Sequence, residues 1–351
     1  MANSALLDRP VTVATRGHRG RAGLILGLVI SFGLLVVVMI ASILLGTRGV
    51  SVATIWDAFV HYDPKSTGQT VIREMRVPRT LVGLTAGIAL GLSGALLQAS
   101  TRNPLADPGI LGINGGAAAA IVTAVAIFGN LPMTVSIWFA FAGAGIAVAA
   151  VYGIASFGRE GATPVKLALA GTAISAGLYA LVSAIIMTNL DALNEIRFWQ
   201  VGSLAGRYWP VFWQTMPFLV IGSIVALLAG RALNGLALGD DMASALGVDV
   251  RRTRIILFAT VAVLCGAAVS ACGPIVFLGL AVPQAARAIV GPDYRWVLAY
   301  TAVLSPLVFL VADIVGRLVI TPGELQVGVV LGVFGAPAFI LLVRYRNLAE
   351  L

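Results

Sequence analysis

Apolar residues in this chain come in long unbroken runs, not in the alternation of half-buried strands. Ten stretches are mostly apolar, at roughly 23–45, 80–99, 108–128, 131–155, 166–188, 211–233, 254–272, 275–290, 297–320 and 325–343. A membrane-spanning helix needs about 20 such residues, so the pattern predicts an all-α polytopic membrane protein with about ten transmembrane helices. The eighth stretch is short and carries Pro283 and Arg287, so it is expected to cross incompletely. Polar positions gather in a tail at 1–22, a short tail at 346–351 and one loop inside the membrane domain 23–345. That loop, at 234–253, overlaps the polar stretch Leu238–Arg254, LGDDMASALGVDVRRTR.

Composition supports the bilayer as solvent. The 351 residues are 59% hydrophobic and 11% charged, with mean hydropathy +0.97. Soluble chains run nearer about 25% charged. The net charge is +8, and Lys65 and Lys166 are the only lysines. With the N-terminus inside, 15 of the Arg and Lys residues fall on the inner side and 8 on the outer. This bias predicts both termini in the cytoplasm. It also makes the outer residues Arg73, Arg76 and Arg79 an exception, three cations within seven residues. The basic tail holding Arg9, Arg16, Arg19 and Arg21 reads as a topology signal, followed by a retained first span. Nucleic-acid binding is set aside, because no basic run is interleaved with aromatics.

The chain offers little chemistry of its own. Neither lysine follows a glycine, so no P-loop is present. No Ser/His/Asp or paired-carboxylate constellation stands out, and His18, His61, Cys265 and Cys272 make no metal-ligand cluster. The cysteines, seven apart on one helix face, read as packing residues. Ion-coupled carriers keep ionisable groups in mid-membrane; here Asp313 and Arg317, four apart, can pair with each other. Arg317 is expected near the outer surface.

Four local patterns remain. Arg73-Glu74-Met75-Arg76-Val77-Pro78-Arg79 precedes the second span. Pro78 is expected to open that helix, holding Arg76 and Arg79 as planar forks for an acidic partner. Asn103-Pro104-Leu105-Ala106-Asp107-Pro108-Gly109 is a tight turn whose Asn and Asp can cap the next helix. In the polar loop, Asp240 and Asp241 suit a helix N-terminus, and Gly247 suits its end. An apolar stripe of Ala243, Leu246 and Val248 could then press into a partner's groove. Gly83, Gly87 and Gly91 form a double GxxxG, either a face for a second subunit or close packing within one.

These motifs, with GLSGALLQ (91–98), TRNPLADPGILGINGGA (101–117), RFWQVGSL (197–204), GPIVFLGLAVPQAAR (273–287), ADIVGR (312–317) and PGELQVGVVLGVFGAP (322–337), resemble the FecCD family of iron-siderophore and vitamin B12 ABC permeases. Within that family the likeness is nearest to permeases of the ferric-enterobactin type. Many relatives have Pro where this chain has Gln326.

The resemblance implies a type II ABC importer for ferric siderophores. This chain would be a non-enzymatic permease in the bacterial inner membrane. Its partners would be a second permease (a paralogue favoured over a copy), two cytoplasmic ATPases carrying ATP and Mg, and an extracytoplasmic binding protein. It implies docking by Arg76, Arg79 and Arg317, with Arg73 beside them, and ATPase coupling through Leu238, Gly239, Asp240, Ala243, Leu246, Gly247, Val248 and Arg251. An inner gate would lie at Thr163 and Pro164, and no metal or cofactor would sit in the chain. Vitamin B12 or haem import by the same machine is the alternative, and an ATP-independent secondary transporter is the alternative of a different class.

Overall fold

The computed structural model describes residues 20–46, 49–157, 163–320 and 323–345. The basic residues Arg9, Arg16, Arg19, Arg48, Arg159 and Arg346 lie outside the described residues. Every regular element among those described is helical. The order is α1 (Arg21–Leu44), α2 (Val52–Val60), α3 (Thr67–Thr70), α4 (Val77–Thr101), α5 (Ile113–Phe128), α6 (Met133–Ala155), α7 (Pro164–Ile186) and α8 (Leu190–Trp199). Then come α9 (Trp209–Leu228), α10 (Gly230–Ala237), α11 (Asp240–Ala245), α12 (Val250–Cys272), α13 (Leu278–Val290), α14 (Tyr294–Val319) and α15 (Val327–Tyr345).

Each of the ten apolar stretches contains one of the long or apolar helices: α1, α4, α5, α6, α7, α9, α12, α13, α14 and α15. Among the described residues, seven helical runs are long and apolar enough to cross a membrane, and α5, α13 and α15 are shorter. The 13 residues of α13 span about 20 Å, short of a hydrocarbon core of about 30 Å. A non-helical segment at 273–277 leads into it, with Phe277 at φ +67°. Pro283 has no N–H for the carbonyl of Gly279 four residues back. Gln98 supplies the missing donor: its Nε2 donates to the oxygens of Gly279 and Leu280, each at 3.2 Å. Gln284 Nε2 in turn donates to Gln98 Oε1 at 2.7 Å.

Helix α4 runs through the centre, packed by α14, α12, α9 and α13. The GxxxG glycines face α14 of the same chain. A Cβ at Gly87 would sit 2.6 Å from Pro306 Cα, and Gly83 and Gly91 face Leu310 and Ser305. Of the two readings of this motif, close packing within one subunit is the one the fold uses. Around this centre, α5, α6 and α7 form a second group joined to the first through α12. Helix α1 leans on α14, where Tyr300 Oη donates to the carbonyl of Leu24 at 2.7 Å. Helices α1 and α7 present largely unburied apolar faces.

Two expectations need correction. Pro78 does not open a helix. The helical run begins at Thr67, and Val71–Arg76 is a π-helical turn in which Val77 N–H reaches back five residues to Ile72 O. The wider turn continues the helix into Pro78, and it rotates Arg76 inward. The stretch 108–128 is also not one helix. A 3-10 turn at Pro108–Leu111, capped by Asp107 accepting from Gly109 N–H at 2.8 Å, ends at Gly112 with φ +77° before α5 begins.

The chain reverses at two ends of the bundle. One end, the arginine end, carries residues 49–76, 187–208, 273–277 and 323–326. The opposite end carries 102–112, 163–165, 229–249 and 291–293.

Candidate functional site

At the arginine end, α1 stops at Leu44 with its last carbonyls lacking helical partners, the negative pole of the helix. Two arginines from distant elements cover them. Arg76 Nη1 donates to the oxygens of Ile43 and Leu44 at 2.9 and 2.8 Å. Arg317 Nη1 donates to the oxygens of Ser42 and Leu45 at 2.8 and 3.0 Å, and its Nη2 to Ser42 Oγ at 2.8 Å. Arg317 also pairs with Asp313 at 2.9 Å, one turn back on α14. The carboxylate of Asp313 holds Arg79 as well, at 2.7 Å, and Arg79 reaches Glu324 at 2.8 Å. Asp313 and Arg317 are 1% and 3% exposed, so the heart of this network is buried, while the Glu324 side chain at its edge is 30% exposed.

The geometry therefore changes the sequence picture of this cluster. Arg76 and Arg317 are buried and Arg79 nearly so, all engaged with their own chain, whereas Arg73 is exposed beside Tyr62, its guanidinium 4.5 Å from the ring centroid. Arg317 does not lie open at the surface. The Asp313–Arg317 pair expected from spacing forms, as part of a larger network. A pocket of about 290 Å³ opens above it, lined by Met75, Arg76, Arg79, Arg207, Arg317 and Glu324 among others. Arg207, which stands in no motif, is its fourth guanidinium.

At the opposite end, Asp240 and Asp241 form the first turn of α11, and Gly247 follows at φ +81°. Asp240 is clamped by Arg102 at 2.6 Å and Arg254 at 3.0 Å. The clamp ties α11 to the end of α4 and the start of α12. Asp249 caps α12, accepting from Arg252 N–H at 3.0 Å, and Arg251 is exposed. The apolar stripe differs from the expected one. Ala243 is fully buried and Val248 packs against the core, while Leu238, Met242 and Leu246 point outward with more than half their surface exposed. Of the three only Met242 lies within the six-residue α11; Leu238 and Leu246 flank it and share its outward side. Gly239, at φ +108°, makes the turn into it.

Thr163 and Pro164 cap α7, with Thr163 Oγ1 accepting from Lys166 N–H at 3.4 Å. The residues before them, 158–162, lie outside the described residues. Cys265 and Cys272 are both free and buried. Among the described residues no group of three or more His, Cys, Asp or Glu is placed to hold a metal.

Residues 34–345 match the FecCD transport family. The ferric enterobactin transport system permease protein FepD of Escherichia coli (strain K12) is 45% identical over 318 residues, covering 90% of this chain and 95% of that protein. The iron(3+)-hydroxamate import system permease protein FhuB of Bacillus subtilis (strain 168) is 38% identical, covering 92% and 84%. A solved metal-chelate type ABC transporter in an inward-facing conformation superposes with a TM-score of 0.80 at 27% identity, over 93% of this chain and all of that one. Ten apolar helices around one core, a near-full-length family match and relatives that are themselves transport permeases lead to one conclusion: this chain is a multi-pass membrane permease belonging to the FecCD transport family.

Proposed function

We propose that the chain is the permease subunit of an ATP-driven importer for ferric-siderophore complexes. It forms half of the translocation pathway with a second permease, a paralogue in preference to a copy. Two ATPases dock at the α11 end, which is cytoplasmic, and an extracytoplasmic binding protein docks at the arginine end. The named relatives carry ferric enterobactin and iron(3+)-hydroxamate, which supports a ferric chelate as cargo. ATP and Mg belong to the ATPases.

The observation that carries this reading is α11. A short amphipathic helix fixed by two ion pairs, with Leu238, Met242 and Leu246 facing outward, suits a groove on a partner and transmits motion without slack. The Asp, Glu, Lys and Arg residues within the described spans are confined to the buried network at one end and to the end turns of helices, an arrangement that supports coupling to a separate motor over a proton relay. At the other end, the rim cation Arg73 and the pocket over Arg76, Arg79 and Arg317 favour an acidic partner surface.

The test is purification of the tagged chain from its native membrane in mild detergent, with co-purifying chains identified by mass. An ATPase and a second permease of this family are expected. A chain recovered alone, from membranes whose ferric-siderophore uptake persists without ATP, contradicts the reading.

A further inference from the structure

Helix α2 carries an apolar face that the chain does not cover. Its nine residues begin after Ser51, whose Oγ accepts from Thr54 N–H at 3.1 Å. At about 100° per residue, its side chains fall into three sectors. Ile55 and Ala58 turn inward. Both are buried, and they pack with Ile72 of the π-helical turn against Ile43 of α1 and Val77 of α4. Trp56, Phe59 and Val60 take the next sector, with 69%, 58% and 52% of their surface exposed. Thr54 and Asp57 take the third, and the polar run His61-Tyr62-Asp63-Pro64-Lys65 follows the helix. The apolar arc is therefore twice as wide as the part that this chain packs.

Two neighbours fix the height of that face in the bundle. The first is α1, a span with a largely unburied apolar surface. That surface stays apolar and exposed to the helix end, at Ile40, Leu44 and Leu45. Ile43, in the last turn of α1, is the residue on which α2 packs. Helix α2 thus continues the lipid-facing surface of α1 at the level where the span stops. The second neighbour is Trp209, the first residue of α9. Its Nε1 donates to the carbonyl of Arg73 at 3.0 Å, in the same π-helical turn that holds Ile72. Trp209 stacks on Trp213, which is 58% exposed. Indoles gather where spans meet the membrane–water boundary, because the ring is apolar and its N–H is not.

The order of the sectors suits a helix lying flat in that boundary, with protein on one side, lipid beneath and water above. A soluble partner would meet Thr54, Asp57 and the polar run first. We propose that α2 is an interfacial helix whose Trp56, Phe59 and Val60 insert into the phospholipid leaflet at the arginine end, between headgroups and acyl chains. The inserted residues carry no charge, so the surface they need is the apolar boundary itself, whatever the sign of the headgroups. Ile55 and Ala58 on the same helix grip Ile43 and Ile72. Insertion therefore holds the end of α1 and the turn bearing Arg76 at one depth in the bilayer. This inference rests on the chain being a membrane permease, and on neither its cargo nor its motor.

Two measurements test this, both on the chain with whatever co-purifies in mild detergent, reconstituted into phosphatidylcholine nanodiscs. The first attaches a nitroxide to Trp56→Cys, Phe59→Cys or Val60→Cys, with His61→Cys and Lys65→Cys as references in water. Cys265 and Cys272 are buried and stay unlabelled. Collisions with oxygen, which concentrates in lipid, are compared with collisions with a water-soluble nickel chelate. The oxygen-to-nickel ratio should be severalfold higher at 56, 59 and 60 than at 61 and 65. An equal ratio would place the trio in water, as a surface for a soluble partner, and overturn the proposal. Labels shielded from both reagents would show another protein chain over the face, and would overturn it as well.

The second measurement needs no label and keeps the face apolar. Tryptophan emission of the wild type and of Trp56→Phe is recorded in ordinary phosphatidylcholine and in phosphatidylcholine brominated near the headgroup end of its acyl chains. Bromine quenches an indole on contact. The emission that Trp56→Phe removes should be severalfold smaller in the brominated lipid, because Trp56 is already quenched there. An equal loss in both lipids would mean that Trp56 does not touch acyl chains, and the proposal would fall.

Discussion

Asp313 holds two guanidiniums at once, Arg79 at 2.7 Å and Arg317 at 2.9 Å, with almost no access to water. Removing one partner of a buried pair leaves an uncompensated charge, at about 3–5 kcal/mol. Asp313→Ala should therefore cost that much stability and lower the unfolding temperature of the purified chain, read by a thermal melt in detergent. Arg79→Glu with Arg76→Glu should fail in the same way, before any question of docking arises. Half of this network was legible in the sequence, since Asp313 and Arg317 are four apart on one helix. The other half was not, because Arg79 and Asp313 are 234 positions apart and only helix packing brings them together. An arginine cluster on the sparsely charged side looked like a partner site. Its first task is to cover the carbonyls at the end of α1, which hydropathy does not reveal. Arg207 had no motif around it, and its place beside the other three guanidiniums is visible only in three dimensions.

At the scale of elements, the ten apolar runs were legible because a helix that meets lipid must be apolar along its whole length. Helices α2, α8 and α10 were not, being too short or too polar for a span. Helix α8 nonetheless bears its own signals, an Asn189 cap accepting from Ala192 N–H at 2.8 Å and Arg197 in its last turn. The π-helical turn before Pro78 defeated a rule that proline starts helices, since a five-residue step leaves no i−4 bond for proline to break. Two predictions belong here. The close approach of α4 to α14 leaves no room at Gly87, so Gly87→Leu should destabilise by about 1–3 kcal/mol through overpacking, measured by the same melt. The outward trio at α11 keeps more than half its surface exposed. Met242→Asp with Leu246→Asp should leave the unfolding temperature unchanged and reduce ATP-driven uptake at least tenfold in membrane vesicles. Ala243→Asp, by contrast, should destabilise the chain, because that side chain is sealed inside.

In the whole molecule the charged motifs gather at the two ends and almost none lie between them. On the proposed function, that division suits a conduit driven by a separate motor. Family membership was legible because the motifs are compact, RVPR with ADIVGR at one end and LGDDMASALGV at the other, although the structure uses the first pair for an internal network. The direct test is uptake by proteoliposomes holding the co-purified complex, with ATP inside or outside and an iron-55-labelled catecholate or hydroxamate siderophore presented with its binding protein. ATP on the α11 side should drive accumulation of labelled chelate, strictly dependent on the binding protein and insensitive to ionophores that collapse proton and sodium gradients. Accumulation that proceeds without ATP and vanishes with the ionophores would contradict the account.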